Sequence, residues 1–232
     1  MRGYALCTSP RSGSNFLCQL LESTGLLGKP REYFDGFSRR ALDFADYPDD
    51  VALQVEWIRT RAITANGVYG VKLFPWHFAK AAGQLDLLSE LPDLKFIRLT
   101  RVDKLGQAIS WTRALQTSQY RSSQQLQGDA RYDPEAITRQ LHRLVAIDAT
   151  WDAYFARTAQ AALQLSYEGI LQDPDRAVAD VLAFMGLGRA RADESKVTVK
   201  KQRDALSEEW RERYLTDRGD PNKIHCVAGA ES

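Results

Sequence analysis

Cysteine is scarce in this 232-residue chain: Cys7, Cys18 and Cys226 form neither a metal-ligand spacing nor an even disulfide framework. Cys7 and Cys18 fall inside apolar patterns, where buried thiols sit, and a reducing, cytoplasmic compartment is expected. There is no surplus of either charge. With 31 basic and 30 acidic residues, composition gives no general reason to bind nucleic acid or an anionic membrane. Any anion site must be a local gathering of donors. No run approaches the ~18 apolar residues of a membrane span. Too few apolar residues follow Arg2 for a secretory signal core. No internal repeat is present either. The length suffices to bury a full core, and one domain over residues 1–232 is the expectation.

One further absence is local. Residues 5–17 read ALCTSPRSGSNFL: an apolar run, a small polar turn punctuated by Pro10 and Gly13, then a helical pattern. This is how an α/β chain builds an anion site, with loop amides and a helix N-terminus turned toward negative charge. Gly13 removes bulk where a ligand comes close, Arg11 can fork across two anionic oxygens, and Ser12 and Ser14 add hydroxyls. Yet the Gly-Lys-Ser/Thr ending that grips ATP and magnesium is missing. The donors suit an anion held without a metal. On this stretch alone, a plain strand-to-helix turn with a solvated Arg11 is as good a reading.

Hydrophobic periodicity alternates strands with helices. Strands are expected at Tyr4–Thr8, Tyr69–Phe74, Lys95–Thr100 and Leu163–Tyr167. Helices are expected at Asn15–Leu21 (capped by Ser14), Asp49–Thr64, Phe78–Leu91, Leu105–Leu115, Pro134–Thr158, Arg176–Met185 and Glu208–Leu215. Lys29–Phe37 reads as a surface loop, residues 189–205 as charged and loop-like, and Gln116–Asp133, rich in Gln, Ser and Arg, as a mobile loop. Alternation of this kind predicts an α/β, P-loop-like, three-layer fold: a central, mainly parallel sheet flanked by helices. Ligands then bind beyond the carboxyl ends of the strands, so the loops after Thr8, Phe74, Thr100 and Tyr167 should share one face. There Arg101, at a strand end, and Ser110, nine positions on, could converge on a second anion. On this stretch alone, Arg101 paired with Asp103 and Ser110 as a small packing residue is the better reading.

Taken together, SPRSGSNFL at 9–17, GKPREYF at 28–34, YGVKLF at 69–74, LTRVDKLGQAISWTRALQT at 99–117, SYEGILQDPDRAVADVLAFMGL at 166–187 and VKKQRDALSEEW at 199–210 resemble the bacterial Stf-zero (trehalose 2-sulfotransferase) family. These segments cover most of the chain in the family's order. The resemblance implies a sulfotransferase fold and transfer of a sulfuryl group from 3′-phosphoadenosine-5′-phosphosulfate (PAPS) to a hydroxyl of trehalose or a related glycan or glycolipid. It implies that Pro10, Arg11, Ser12, Gly13, Ser14 and Asn15 hold the 5′-phosphosulfate, with Arg11 also catalytic. It assigns the 3′-phosphate to Arg101 and Ser110, beside Val102 where relatives often carry a second basic residue. Lys200, Lys201 and Gln202 would close over the donor, and no metal is expected.

Glu32 stands where the family's proposed catalytic glutamate lies, and it becomes the candidate general base. Without the resemblance it reads as a loop carboxylate paired with Arg31 or Lys29. Lys72, at the end of a buried strand, could reach the acceptor, the sulfonate or solvent. His77 is a runner-up base, although a lone histidine beside aromatics is more often a packing or hydrogen-bonded structural residue. Tyr33 and Trp76, with Phe34 and Trp111, could offer flat faces to a sugar, and Glu168 and Asp173 read as loop and cap residues. The long 134–158 helix has a face that could serve the core or a homodimer. Two other readings stay open: a P-loop-type small-molecule kinase, which the missing lysine opposes, and a non-catalytic nucleotide-binding protein.

Overall fold

The computed structural model describes residues 1–119, 128–199, 204–224 and 227. Lys200, Lys201, Gln202, Cys226 and residues 120–127 of the expected Gln/Ser-rich loop lie outside them.

Strand β1 (Arg2–Cys7) is the heart of the sheet and is followed by α1 (Ser14–Ser23), α2 (Gly36–Leu42) and α3 (Val51–Arg61). Strand β2 (Val68–Leu73) leads to α4 (Pro75–Ala82) and α5 (Leu87–Glu90). Strand β3 (Leu94–Thr100) leads to α6 (Lys104–Thr117) and the long α7 (Pro134–Thr158). Strand β4 (Ala162–Ser166) precedes α8 (Tyr167–Gln172), α9 (Pro174–Phe184), a short 3-10 turn at Glu194–Lys196 and α10 (Ala205–Arg218). The four strands run in the order β2-β1-β3-β4, and every pairing is parallel.

Both faces of the sheet are covered, so its central strand alternates between two apolar layers. Ala5 and Cys7 point into a cluster with Tyr69, Val71, Phe96 and Trp151, closed by α3, α5 and α7. Tyr4 and Leu6 point the other way, onto Leu17, Leu20 and Leu21 of α1 and Val178 and Val181 of α9. A third cluster joins α6, α7 and α10 through Ile109, Trp111, Ile137, Leu144 and Trp210. Cys7 and Cys18 are buried thiols, and burial pushes that of Cys18 up to about 11.

Several boundaries differ from expectation for identifiable reasons. Ser14 is the first helical residue of α1, not its cap: Gly13 occupies the cap position at φ 81, and no side chain caps the helix. Phe78–Leu91 is not one helix. It divides at Gly83 into α4 and α5, and α5 starts on its own cap, Asp86, which accepts from the Ser89 amide. The surface loop ends in α2, capped by Asp35, and Tyr167 begins α8 instead of closing β4 because Ser166 caps it. Gln116 and Thr117 belong to α6.

Candidate active site

The carboxyl ends of β1 and β3 and the first turn of α8 meet around the loop Thr8–Gly13. Inside this loop Thr8 Oγ1 and Ser12 Oγ share a hydrogen bond of 2.6 Å, and Thr8 Oγ1 also donates to the Leu99 carbonyl at 3.1 Å. Trp151 Nε1 donates to the Thr8 carbonyl at 3.0 Å. Gln107 Nε2 donates to Ser9 Oγ at 3.0 Å and to the Pro10 carbonyl at 2.6 Å. So the loop is strapped from β3, α6 and α7 at once, which fixes a backbone that is itself unusual. Arg11 lies at φ 60, a left-handed conformation rare for a residue with a Cβ. Gly13 lies at φ 81 with the Tyr167 ring against it; a Cβ there would come within 2.2 Å of Tyr167 Cδ2.

This strained turn delivers the chain into a helix whose N-terminus is left bare. Helices α2, α3 and α5 to α10 each begin with an Asp or Ser side chain accepting a backbone amide. Among the described helices α1 and α4 have no such cap, and α1 has no acidic residue in its first turn. Its amides and dipole therefore stay available to an anion.

The two expected anion clusters interlock. Arg11 Nε donates to Ser110 Oγ at 2.9 Å, and Arg101 Nη1 donates to the Arg11 carbonyl at 3.2 Å. Thus Ser110 engages the arginine of the first loop. The Arg101 guanidinium stacks 4.9 Å from the Tyr167 ring centroid and stands 3.6 Å from Asp103, while its Nε is buried with no hydrogen-bond partner. Val102 is exposed, and Glu168 accepts from the amides of Val102 and Asp103, both at 3.1 Å. Asp173 caps α9. A positive-φ cradle, an uncapped helix and an orphaned guanidinium N–H fit a donor carrying two phosphate groups.

Glu32 reaches the same region along the edge of the sheet. The chain after α1 runs beside β2: Lys72 N donates to the Arg31 carbonyl at 2.8 Å, and Gly28, at φ 69, lies so close that a Cβ would be 2.6 Å from Gly70 N. Glu32 is held neither by Arg31 nor by Lys29. Arg31 forms a two-pronged pair with Glu22 at 3.0 and 3.2 Å, and it is Lys72 Nζ that sits 2.5 Å from Glu32 Oε1. The same ammonium donates to Asn15 Oδ1 at 2.7 Å, so Lys72 bridges the first turn of α1 to the candidate base and does not reach solvent. Burial works against the charged form of Glu32. The Lys72 charge and hydrogen bond, helped by His77 and Arg39, outweigh it and hold the carboxyl below its ordinary range.

His77 lies in the first turn of α4, between the Phe74 and Trp76 rings at 5.3 and 5.6 Å. One of its ring nitrogens and one carboxylate oxygen each from Glu32 and Asp35 lie within 4.8 Å of one another. Trp76 is exposed, whereas Tyr33 is 2% exposed in the core with its hydroxyl donating to the Lys29 carbonyl. Phe34 and Trp111 are also buried. Tyr33 therefore presents no open face to a sugar. Beside Glu32 and Lys72 a cleft of about 100 Å³ is walled by Asn15, Gln19, Arg31, Arg39 and Val199. Gln19 Oε1 accepts from the amides of Thr198 and Val199 at 2.9 and 3.0 Å, bringing the chain to the cleft immediately before residues 200–202.

The straps were not all hidden from sequence reasoning. Gln107 precedes Ser110 by three positions and so shares its face of α6. Trp151 lies 143 residues from Thr8, and no local pattern announces that contact.

Comparisons with known proteins bear on the family and the fold. The Stf0 sulphotransferase family model matches residues 3–217. The chain is 29% identical to a trehalose 2-sulfotransferase of Mycolicibacterium smegmatis, over 92% of this chain and 94% of that one. It is 27% identical to one of Mycobacterium tuberculosis, over 94% and 96%. Among solved structures, a sulfotransferase from Alicyclobacillus acidocaldarius superposes with a TM-score of 0.53 at 15% identity, covering 94% of this chain and 92% of that one. Mouse sulfotransferase SULT7A1 complexed with PAP does so with a TM-score of 0.52 at 13% identity, covering 97% and 70%. These two establish the sulfotransferase fold. Among the described residues no helix is long and apolar enough to cross a membrane. The chain belongs to the Stf0 sulphotransferase family.

Proposed function

We propose that this sulfotransferase moves the sulfuryl group of PAPS to a hydroxyl of trehalose or a related glycan or glycolipid, giving a sulfate ester and PAP, with residues 1–232 acting as one catalytic domain. The observation that carries the reading is the Lys72 bridge: one buried ammonium joins the first turn of the anion-binding helix to Glu32. Donor loop and candidate base are thereby held in a fixed relation, as an in-line transfer needs.

PAPS supplies the activated sulfuryl group. The chain's own residues do the rest. Pro10 to Asn15, with the bare start of α1, surround the 5′ end, and Arg11 offsets charge that develops on the departing phosphate oxygen. Ser110 positions the Arg11 side chain by accepting from its Nε. Arg101, anchored by the Arg11 carbonyl and the Tyr167 ring, serves the 3′-phosphate. Glu32 accepts the proton of the acceptor hydroxyl. Lys72 keeps that carboxylate ionised and stands by the sulfonate path, while His77 and the exposed Trp76 border the acceptor. The carbohydrate acceptor is supported by the curated relatives, both trehalose 2-sulfotransferases.

Thermal shift with PAP against ATP plus magnesium tests the donor. PAP at 100 times its Kd should add about 2.7 kcal/mol of stability. A response to ATP and none to PAP would overturn the assignment in favour of a kinase. Transfer of labelled sulfate from PAPS to a panel of disaccharides and glycolipids then tests the acceptor; labelling only of non-carbohydrate alcohols would overturn that part.

A further inference from the structure

His77 is the one buried histidine among the described residues. It is 7% exposed, and its Nδ1 is buried without a hydrogen-bond partner, with the Phe74 and Trp76 rings beside it. A ring nitrogen left desolvated and unpaired is unfavourable. Yet the residue is placed opposite two carboxylates. Three atoms separated by at most 4.8 Å, one each from Glu32, Asp35 and His77, always have a common point within about 2.8 Å (4.8 Å divided by √3). That is the length of an O–H···O hydrogen bond. The three groups are therefore spaced closely enough for a proton to pass among them through one hydroxyl.

We propose that His77 is a proton-handling residue of the transfer: the proton released to Glu32 by the acceptor hydroxyl comes to rest on the His77 imidazole, whose cationic form Glu32 and Asp35 stabilise. The proposal rests on the reading of Glu32 as the group that meets the acceptor. In the step, the acceptor O–H bond breaks and its oxygen bonds to sulfur as the bond from sulfur to the 5′-phosphate oxygen breaks. The proton passes to a Glu32 oxygen and then to a His77 ring nitrogen, so charge and atoms balance without a further reactant.

The electrostatics around the ring are consistent with this role. Burial first holds His77 below its ordinary value near 6.5, so at neutral pH it is an uncharged proton acceptor. Glu32, from the segment beside β2, and Asp35, the cap of α2, raise its affinity for a proton; Lys72 of β2 and Lys80 of α4 lower it. Glu32 by itself is a weak base, because Lys72 stabilises its ionised form. A second acceptor beside it removes the need for Glu32 to keep the proton.

The experiment compares wild type, Glu32→Gln and His77→Gln for turnover with labelled PAPS and the best acceptor, and for PAP binding by thermal shift. For His77→Gln we expect kcat to fall about 10- to 100-fold, within the range of acid–base contributions, with the KM for PAPS within about twofold. The acid limb of the kcat profile should move to lower pH, because neutral His77 no longer gates it. Wild-type kcat and an unmoved acid limb in His77→Gln, with Glu32→Gln inactive, would overturn the relay alone. Full turnover in Glu32→Gln, or no PAP binding in wild type, would overturn the underlying reading and the relay with it. If His77→Gln does not fold, histidine NMR on wild type and Glu32→Gln decides: the His77 midpoint must fall when the Glu32 charge is removed, and an unmoved midpoint refutes the coupling.

Discussion

Replacing Lys72 by Met isolates the interaction that ties the two halves of the site together. The ammonium is 5% exposed and the Glu32 carboxylate 19%, with 2.5 Å between them and a second hydrogen bond to Asn15. Removing one member of a buried pair leaves the other charge uncompensated, which costs about 3–5 kcal/mol. A solvated surface pair would return only ~0–1 kcal/mol. The pH dependence carries a sign. In wild type the Glu32 carboxyl is held below its unfolded value, so its stabilisation is complete above that value and is lost as pH falls through the folded one. In Lys72→Met the burial penalty stands without its main compensation, and the folded value rises above the unfolded one. The variant's deficit must then be largest near pH 8 and shrink as pH falls toward 4. Urea denaturation across that range, with unchanged m, measures it. Adding Glu32→Gln to Lys72→Met removes the orphaned charge and should return most of the loss. A deficit under about 1 kcal/mol that does not vary with pH would refute the buried-pair reasoning.

The loop offers further tests. Gly13→Ala forces a Cβ into a left-handed position and against the Tyr167 ring at 2.2 Å. The backbone term alone is about 1–2 kcal/mol. We expect lower thermal stability and loss of the PAP-induced shift, and Tyr167→Ala in the same chain should restore part of the stability but not all of it, since φ stays wrong. Trp151→Phe deletes the donor to the buried Thr8 carbonyl and should cost about 1–3 kcal/mol. PAP affinity, read by calorimetry, should fall as well, because Thr8 anchors the loop; unchanged affinity would show that this strap does not shape the anion site.

Local pattern made much of this molecule legible. Four apolar runs became four parallel strands, with β1 and β2 buried on both faces and β4 half-buried at the sheet edge, and the alternation with helices left few ways to connect them. Arg11, Gly13 and Arg101 were readable from their places just beyond strand ends. Glu32 was readable chiefly through resemblance, since a lone carboxylate in a charged loop has no local signature.

What the sequence by itself determined is therefore the αβ alternation, the candidate anion turn without its lysine, and the side of the sheet on which the candidate site lies, for these follow from periodicity and from residues adjacent in the chain. Partners across the fold were decided only by tertiary structure. Lys72 chooses Glu32 over solvent because β2 carries it beneath the 29–35 segment, and Arg31, adjacent to Glu32, turns instead to Glu22. Ser110 joins Arg11 because α6 returns over the first loop. His77 faces two carboxylates because it lies in the first turn of α4, just after β2, beside which the Glu32 segment runs, and because Asp35 caps the helix that follows that segment. In each case charged or polar groups from distant parts of the chain meet at short range, and such distances exist only once the layers have packed.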